Sequence, residues 1–461
     1  MTTEFLRIGY YGIRDADFRT RKMKESTVRY WIVFLAALSL RILVWLFVIS
    51  HPGTAFDNDS ALYVSLGSDL FRYHVFSSLI RTPVYPLFIA SAHYVSGEVL
   101  PQVLLFQCVL DSLTAIAVAL IFFRLFKDSG YSLMAGLIYA INPFAVYYSN
   151  MILSETLFTL LMAIMFYLVA CFFYGQRYVH LAISGVVLGL SALCRPIALY
   201  VPLLILAGLL SVKIPFRKKV LSCILFILCF FVVVTPWYLR NHKYYHRWTL
   251  SPIDELNYFI SFAPEVLMIE NNPLSVLQVR INGPIEYYRK LLWNQVKSKY
   301  GWYENSPSEV VEDAKRAALL GEEGRKVILE RPLIFLASHL LNISRTLCPY
   351  YPSFSTLTGI DSMVFPVLSF IIDLLTIVFF ISGIFFLLKG EQPVSSGRVL
   401  IYTLMAMIFY FSFVPGVVGY ARFRVPVLPY ISILSAAGIK GVFPRMKLNM
   451  RPEKSANQKL K

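Results

Sequence analysis

Two aspartates and an arginine in one polar loop are the residues best suited to chemistry in this sequence. Asp57 and Asp59 follow the first long apolar segment, and Arg81 comes about twenty residues later, just before the stiff stretch Pro83-Val84-Tyr85-Pro86. A carboxylate can act as general base towards a hydroxyl, and arginine can hold a phosphate with its planar fork of donors. The simpler alternatives are solvated loop acids, or Asp59 as the cap of the helix that the following leucine spacing predicts.

The composition places the chain in a membrane. Of its 461 residues, 57% are hydrophobic and 15% are charged, whereas about 25% of the residues of a soluble protein are charged. The formal net charge is +16, and many lysines and arginines lie between apolar segments and at both ends. In a membrane protein this pattern marks the cytoplasmic side, so we expect contact with membrane lipids and no nucleic acid partner.

The apolar segments predict an all-α polytopic membrane protein with about ten transmembrane helices. The predicted spans lie at about residues 30–50, 100–123, 131–148, 152–173, 181–193, 197–212, 220–237, 363–388, 399–418 and 425–442. Basic residues precede the first span and no small-residue cleavage site follows it, which indicates a retained anchor and no signal peptide. Arg41 lies inside that span, where it snorkels, pairs with a buried acid or contacts a substrate.

The spans divide the chain into five parts. These are a basic cytoplasmic N-terminus (1–29), a transmembrane module (30–237) whose first outer loop covers 51–99, an extracytoplasmic and mostly helical region (238–355), C-terminal transmembrane helices (356–443) and a basic cytoplasmic tail (444–461). Ten spans put both basic termini in the cytoplasm. Segment 332–347 would break this parity as an eleventh span, so we interpret it as a helix in the membrane interface.

Alternating the ten spans collects most chemically capable side chains on the outer face. This set comprises Asp57, Asp59, Tyr63, Arg81, Tyr85, Asn150, Glu155, Arg195, Arg240, Arg422 and Arg424. Glu155 is a second candidate acid at the outer end of its span, although an interfacial or helix-dipole role is the simpler explanation.

Metal binding and disulfide bonds find little support in the sequence. His242 and His246 have the spacing of zinc ligands, but no third ligand is evident. The six cysteines show no CxxC spacing and five fall inside apolar segments, so we expect no disulfide framework. No cofactor is firmly implied, and the pattern leaves a divalent metal open.

Several short motifs, in order along most of the chain, resemble the GT-C glycosyltransferases. The motifs are Asp59-Ser-Ala-Leu-Tyr63, Arg81-x-Pro-x-Tyr-Pro-Leu-Phe-Ile, Tyr148-Ser-Asn-Met-Ile-Leu-Ser-Glu155, Gly185-x-x-x-Gly189, Arg195-Pro196, Pro236-Trp237-x-x-Arg240-Asn241 and Arg422-x-Arg424-x-Pro426. By this resemblance the nearer relatives are the dolichyl-phosphate-mannose protein mannosyltransferases and the lipid A aminoarabinose transferases.

The resemblance implies a GT-C-like fold that transfers a sugar from a polyprenyl-phosphate carrier. Asp59 would be the catalytic carboxylate and Glu155 a second acid. The residues expected to bind substrate are Tyr63, Arg81, Tyr85, Arg195, Arg240, Arg422 and Arg424. The mannosyltransferases have adjacent acids where this chain has Asp57-Asn58-Asp59, so either aspartate could be the base.

We therefore predict a hexosyl- or pentosyltransferase in a bacterial inner membrane, with its site facing outside. The acceptor is a glycolipid, polysaccharide or protein. One alternative is a transporter or flippase for lipid-linked sugars, which needs acids deep in the spans, such as Asp111 and Asp373, and inverted repeats. The other is a polysaccharide polymerase or ligase. No repeat is visible in the sequence.

Overall fold

The described part of the protein is built from helices and short turns. The computed structural model describes residues 27–57, 59–95, 99–273, 282–302, 314–347, 364–389, 395–415 and 421–444, and these ranges contain no β-strand. The expected all-α class is therefore confirmed. The capping motif predicted from Ser306 and the cysteine at 348 lie outside the described residues.

The helices of the first transmembrane module follow the order of the predicted spans. They are α1 (Thr27–Ser50), α2 (Ser60–Tyr73), α3 (Val84–His93), α4 (Val99–Phe126), α5 (Ser129–Ala140), α6 (Pro143–Tyr148), α7 (Glu155–Gly175), α8 (Tyr178–Cys194), α9 (Val201–Ser211) and α10 (Phe216–Tyr245). Helices α2 and α3 lie between the first two predicted spans, where the leucine spacing and the proline-rich stretch predicted them. Asp57 and Asp59 thus lie just before α2, and Arg81 lies just before α3.

The second half of the chain contains the polar region and the last helices. They are α11 (Ile253–Asn257), α12 (Ala263–Asn271), α13 (Asn282–Tyr300), α14 (Ala314–Glu330), α15 (Pro332–Leu347), α16 (Val364–Leu388), α17 (Ser395–Phe413) and α18 (Leu428–Val442). A π-helical turn, Tyr258–Phe262, joins α11 to α12, and the 3-10 turn Ala421–Val427 leads into α18. This last turn carries Arg422 and Arg424.

Six of the described helices are long and apolar enough to cross a membrane. They are Thr27–Ser50, Leu100–Phe126, Glu155–Gly175, Phe216–Tyr245, Val364–Leu388 and Arg422–Val442. Three of the other four predicted spans correspond to the shorter apolar helices Tyr178–Cys194, Pro196–Ser211 and Gly397–Phe413, and the remaining one, the third, corresponds to α5 and α6. The chain is a multi-pass membrane protein whose count of ten spans stays a prediction.

Two predicted spans differ from the structure: one is divided and the other is longer. The third span is divided at Asn142, whose side chain accepts hydrogen bonds from the amides of Phe144 and Ala145 and so starts a new helix at Pro143. The seventh continues as one helix through Pro236 to Tyr245, beyond the predicted end. Hydropathy located both segments. It did not show that Asn142 would cap a new helix or that α10 would continue through Pro236.

Close contacts at glycines hold pairs of helices together. A Cβ atom on Gly383 of α16 would lie 2.0 Å from the carbonyl oxygen of Leu434 in α18, and one on Gly438 would lie 2.0 Å from that of Phe379. Lipid tails are as apolar as the helices, so the hydrophobic effect does not drive the helices together in a membrane. Close packing of backbones, as at these glycines, is a main source of helix association there. The same physics places Gly185 of α8 against α10.

A buried ion pair joins α1, α4 and α5. Arg41 of α1 is fully buried, its Nε donates to Oδ2 of Asp111 in α4 at 2.7 Å, and its Nη1 donates to the carbonyl oxygen of Ala140 at 2.9 Å. The hydroxyl of Tyr139 donates to the other oxygen of Asp111 at 2.6 Å. Of the three sequence-based alternatives for Arg41, the structure shows pairing with a buried acid.

Helix α15 has a row of exposed leucines on one side and packs against the protein with the other. Leu333, Leu336 and Leu340 are exposed, whereas His339 packs against Phe262 near the end of the π-helical turn and against Phe413 at the end of α17. This pattern agrees with an amphipathic helix. Its location in the membrane interface stays a prediction.

Candidate active site

Three carboxylates and three arginines from distant parts of the chain meet at one place. The acids are Asp57 and Asp59 before α2 and Glu155 at the start of α7, and the arginines are Arg81 before α3, Arg195 after α8 and Arg422 before α18. We call these six side chains the acid–arginine cluster. Their formal charges balance, and five of the six lie in loops or turns outside the α-helices, with Glu155 at the first position of α7 as the exception.

Asp59 is held on both of its carboxylate oxygens. Its Oδ1 accepts a hydrogen bond from Nη2 of Arg81 at 2.6 Å, and its Oδ2 lies 2.9 Å from Nη1 of Arg422. Asp59 occupies the N-cap position of α2 but makes no capping hydrogen bond, so the alternative of a capping aspartate is wrong. Burial by itself would raise the pKa of Asp59, but the two arginines outweigh burial and lower this pKa below its ordinary value. Asp59 is therefore ionised at neutral pH.

Three hydrogen bonds fasten the turn with both aspartates to the turn that precedes Glu155. The amide of Asp57 donates to Oγ of Ser60 at 2.9 Å, and that hydroxyl donates to the carbonyl oxygen of Ile152 at 2.8 Å. The amide of Ile152 donates to the carbonyl oxygen of Ala55 at 3.0 Å. These bonds fix the first acids relative to the second acid without using any carboxylate.

Arg81 is oriented by an aromatic ring as well as by Asp59. Its guanidinium carbon lies 5.0 Å from the centre of the Tyr63 ring. Burial alone would lower the pKa of Arg81, but Tyr63 and Asp59 more than compensate and raise this pKa above its ordinary value. Arg81 is therefore a permanent cation whose plane is set by stacking.

Arg240 supports the loop that carries Arg81 and is not one of the six cluster residues. It donates to the carbonyl oxygens of Phe76 at 2.5 Å and Ser78 at 3.1 Å, and its guanidinium lies 4.5 Å from the Trp237 ring centre. The hydroxyl of Ser78 in turn accepts from the amide of Arg81 at 3.1 Å. The geometry favours a positioning role for Arg240, and direct substrate binding by it stays a prediction.

Tyr63 faces the cluster, whereas Tyr85 lies behind it. The two rings meet edge to face at 4.8 Å, and the Tyr63 hydroxyl lies 3.4 Å from Oγ of Ser154. Tyr85 is fully buried and donates to Oε1 of Gln107 at 2.6 Å, while the amide of Gln107 donates to two backbone carbonyls of the 149–151 turn. Tyr85 therefore supports the ring of Tyr63.

Glu155 is the most buried acid of the cluster, with a side chain only 1% exposed. It pairs with Arg195, which also donates to Oγ of Ser154 at 3.3 Å. The guanidinium carbon of Arg195 lies 5.9 Å from the centre of the Phe158 ring and 5.3 Å from that of the Phe423 ring. A buried carboxylate at a helix start is stabilised here by both the ion pair and the helix dipole.

Arg422 is the residue that joins all three acids. Its Nη1 lies 2.9 Å from Asp59 and 3.5 Å from Asp57, and its Nε lies 3.7 Å from Glu155. Arg422 and Asp57 are 365 positions apart, so no local pattern links them. Its charge is spread over three partners rather than fixed on one.

Arg424 makes a different ion pair from its neighbour two residues earlier. Two of its nitrogens lie 2.8 Å from the two oxygens of Asp373 in α16, and the pair is buried. Asp111 and Asp373, the intramembrane acids on which the transporter alternative rests, thus each have a buried arginine partner. A substrate contact by Arg424 stays a prediction. Asn150 is likewise buried and donates to the carbonyl oxygen of Val146.

The described residues offer no obvious metal centre. No three His, Cys, Asp or Glu side chains in that part of the chain are grouped as metal ligands would be. His242 stacks on Trp248 with ring centres 4.2 Å apart, and His246 ends α10 in a left-handed conformation. The carboxylates of the cluster are paired with arginines. The N–H groups of these arginines are donors that suit an anion rather than a cation.

Sequence reasoning missed the polar residues that support the cluster. Ser60, Ser78, Gln107 and Ser154 are all buried and hydrogen-bonded to backbone or to cluster side chains. Ser60 and Ser78 lie in the polar loop and Gln107 and Ser154 in apolar segments, and isolated residues of these types carry no spacing signal. Their roles appear only when the turns are brought together.

Comparison with known proteins agrees with this architecture. Residues 80–238 match the family model described as dolichyl-phosphate-mannose-protein mannosyltransferase. This segment contains Arg81, Glu155 and Arg195, whereas both aspartates and Arg422 lie outside it. A search of curated proteins finds no match.

The fold is similar to that of oligosaccharyltransferase AglB from Archaeoglobus fulgidus, solved in complex with an inhibitory peptide and a dolichol-phosphate. The TM-score is 0.54 at 15% identity, over 92% of this chain and 51% of AglB. The apo form of the Archaeoglobus fulgidus oligosaccharyltransferase gives 0.53 at 14% identity, with coverages of 92% and 51%. The chain thus spans about half the length of these proteins.

A further similar structure is ArnT from Cupriavidus metallidurans bound to undecaprenyl phosphate, with a TM-score of 0.38 at 13% identity, over 92% of this chain and 81% of ArnT. The similarity to the Archaeoglobus fulgidus oligosaccharyltransferase confirms the resemblance noted in the sequence at the level of the fold: the chain is a multi-pass membrane protein with a GT-C-like helical fold.

Proposed function

We propose that this protein is an inverting glycosyltransferase that moves one sugar from a polyprenyl-phosphate carrier to a hydroxyl group of a glycolipid, polysaccharide or protein. The observation that carries the proposal is the acid–arginine cluster, because it places carboxylates for proton transfer beside arginines for a leaving phosphate. The GT-C-like fold and the matched mannosyltransferase segment support it.

In this reaction the acceptor hydroxyl attacks the anomeric carbon of the donor. The new bond from acceptor oxygen to carbon forms as the bond from carbon to phosphate oxygen breaks, and the polyprenyl phosphate leaves with the electron pair. The hydroxyl proton passes to a carboxylate of the cluster. Asp59 is our first choice for this base and Asp57 is the second, because both lie beside Arg422, which can follow the departing charge.

Stabilisation of the leaving phosphate is the effect we expect to contribute most. Arg81 and Arg422 approach Asp59 from opposite oxygens, so a phosphate beside Asp59 would lie within reach of two guanidinium groups. Charge-assisted hydrogen bonds from such groups are short and directional. We place the site on the outer face of a bacterial inner membrane, where the lipid-linked donor and the acceptor meet.

The test is a transfer assay with variants of the two aspartates. The purified protein is reconstituted in liposomes with a panel of radiolabelled polyprenyl-phosphate monosaccharides and a membrane extract as acceptor. Asp59→Asn should reduce transfer by about 10²–10⁴, the usual loss when a general base is removed. Asp57→Asn should reduce it less, because Asp57 is held less closely than Asp59 by Arg422.

Asp69→Asn is the matched control, because Asp69 lies in the same helix α2 and in none of the ion pairs of the cluster. It should transfer at the wild-type rate. Each variant is first checked for an unchanged elution volume and melting temperature. Full activity of both Asp59→Asn and Asp57→Asn would remove the catalytic role from this loop, and no transfer from any donor in the panel would count against the proposed reaction.

A further inference from the structure

We propose that a cavity beside helix α14 binds the phosphate headgroup of an anionic membrane lipid, and that this site holds α14 at the membrane surface. The cavity lies apart from the acid–arginine cluster and takes no part in the proposed sugar transfer. The proposal therefore stands or falls independently of the glycosyltransferase reaction.

The cavity lies between one face of α14 and the chain that leads from α10 into α11. Its volume is about 880 Å³, which is within the usual range of binding sites for small molecules. Its charged lining residues are Arg247, Glu255, Lys315, Glu322, Arg325 and Lys326. Four of these are basic and two are acidic, so the lining has a formal charge of +2 and attracts an anion.

Both acids of the lining are already paired with basic residues of the same lining. The two oxygens of Glu255 accept hydrogen bonds from Nη2 of Arg247 at 2.7 Å. Glu322 lies 3.1 Å from Nζ of Lys326, which also lies 2.9 Å from Glu323. Neither acid needs a cationic ligand to balance its charge. Because Arg247 and Lys326 are engaged with these acids, an incoming anion requires a further cation.

Arg325 is the cation that can bind such an anion. It is exposed and forms an ion pair with no carboxylate among the described residues. Its Nε donates to the carbonyl oxygen of Gly321 at 3.3 Å, and its guanidinium carbon lies 5.8 Å from the centre of the Tyr258 ring. These two contacts orient the guanidinium and leave its two terminal nitrogens for a ligand. Such a fork of donors matches two oxygens of a phosphate.

The opposite face of α14 fixes the position of the cavity. Ala317 and Leu320 are buried in an apolar cluster with Ile80, the neighbour of Arg81 in the chain. A Cβ atom on Gly324 would lie 2.4 Å from the carbonyl carbon of Tyr258, so the two backbones are in close contact. The residues that line the cavity and the buried residues therefore lie on opposite sides of one helix. The helix separates the cavity from the loop that carries Arg81.

A row of exposed leucines favours a lipid over a soluble anion. Leu329 lines the cavity and is 76% exposed, and Leu333, Leu336 and Leu340 of α15 continue the row with exposed side chains. A continuous apolar row of this kind marks a surface that contacts an apolar partner. Next to a basic cavity, it matches the chains of a lipid whose phosphate lies in the cavity.

The experiment locates bound lipid by photo-crosslinking. The full-length protein is reconstituted in phosphatidylcholine liposomes with a trace of phosphatidylglycerol or phosphatidylcholine that has a diazirine at the same position of one acyl chain. Mass spectrometry then locates the cross-linked peptides. We expect the phosphatidylglycerol probe to label residues 315–340 about tenfold more than the phosphatidylcholine probe, the usual effect of a charged hydrogen bond. Both probes should label α1 equally.

Arg325→Gln should reduce the labelling of residues 315–340 by phosphatidylglycerol about tenfold, because the amide has no charge to offer the phosphate. Arg325→Lys should keep part of it, since lysine retains the charge and loses the fork. Lys290→Gln is the matched control: Lys290 is an exposed lysine of α13 that does not line the cavity. It should label as wild type. Each variant is first checked for an unchanged melting temperature, and labelling of α1 is the internal standard.

Equal labelling of residues 315–340 by the two probes would overturn the proposal, because the headgroup would then not be recognised. Wild-type labelling of Arg325→Gln would overturn it too. If inorganic phosphate alone removed the phosphatidylglycerol cross-links, the cavity would be a site for a soluble anion and the assignment to a lipid would be wrong.

Discussion

At the scale of the residue, Arg81 has a guanidinium group whose orientation is fixed by two neighbours and whose Nε has no hydrogen-bond partner among the described residues. It is bonded to Asp59 at 2.6 Å, stacked on Tyr63 and left with an unused Nε in the described site. Lysine would retain the charge but would lose both the stacking and the fork of parallel donors. The arrangement predicts that geometry as well as charge matters at this position.

We therefore expect Arg81→Lys to keep part of the transfer activity and Arg81→Ala to keep very little. Loss of a charge-assisted contact to the leaving phosphate corresponds to about 10²–10³ in turnover. Steady-state kinetics with the active donor would separate the effect on turnover from the effect on KM. If Arg81→Ala matched wild type in both, the phosphate would have to be held elsewhere, with Arg195 or Arg422 as the next candidates.

The ion pairs of Asp59 also have a stability consequence whose sign follows from its pKa. Its pKa is lower in the folded protein than in an unfolded chain. The associated stabilisation is therefore fully present above the unfolded value of about 3.9 and is lost as the pH falls through the folded value. Across the neutral range Asp59 therefore stays ionised, and its contribution to stability does not change with pH there.

At the scale of the element, α16 and α18 pack through glycines, and this contact determines where Arg422 lies. The 3-10 turn that carries Arg422 leads directly into α18, and α18 touches α16 at Gly383 and Gly438. A second link is the buried pair of Arg424 and Asp373 between the same two elements. The last part of the chain thus reaches the cluster as one packed unit.

Gly383→Ala should destabilise the protein, because the added Cβ would lie 2.0 Å from a backbone carbonyl oxygen and the helices would have to separate. Overpacking typically costs about 1–3 kcal/mol, and a backbone contact does not relax by a rotamer change. Gly175→Ala is the matched control, since nothing lies within 4 Å of a Cβ there at the end of α7. Melting temperatures in detergent should fall for the first variant and not for the second.

At the scale of the whole molecule, the positive-inside pattern predicts that residues 238–355 lie outside and that both termini lie in the cytoplasm. Lys315 in α14 and Lys127 after α4 are both exposed and fall on opposite sides in this topology. They offer a matched pair of labelling positions, one on each face of the membrane.

Lys315→Cys should react with a membrane-impermeant maleimide in intact cells, and Lys127→Cys should react only after permeabilisation. The unsubstituted protein is the blank for all six native cysteines; of the five in the described part of the chain, Cys108, Cys171 and Cys194 are buried and Cys223 and Cys229 are half-buried. The reverse pattern, with Lys315→Cys protected until permeabilisation, would invert the topology and place the cluster on the cytoplasmic face.

The sequence by itself determined which segments become helices and which residues could react. Apolar length and leucine spacing located the membrane segments and α2, because burial in lipid and hydrogen bonding within a helix depend on nearby residues alone. The same local reasoning identified Asp57, Asp59 and Arg81 in one loop. It also gave the resemblance that the fold comparison confirmed.

Only the tertiary structure decided which charges meet. Arg422 joins Asp57 across 365 positions, whereas Arg424, two residues away, pairs with Asp373 instead. No local pattern separates these two arginines, because their partners are set by close helix contacts at glycines and by hydrogen bonds between turns. The division at Asn142 and the supporting role of Arg240 follow from such contacts too. Pairing across a membrane bundle depends on packing between distant helices, and that information is not contained in any one segment.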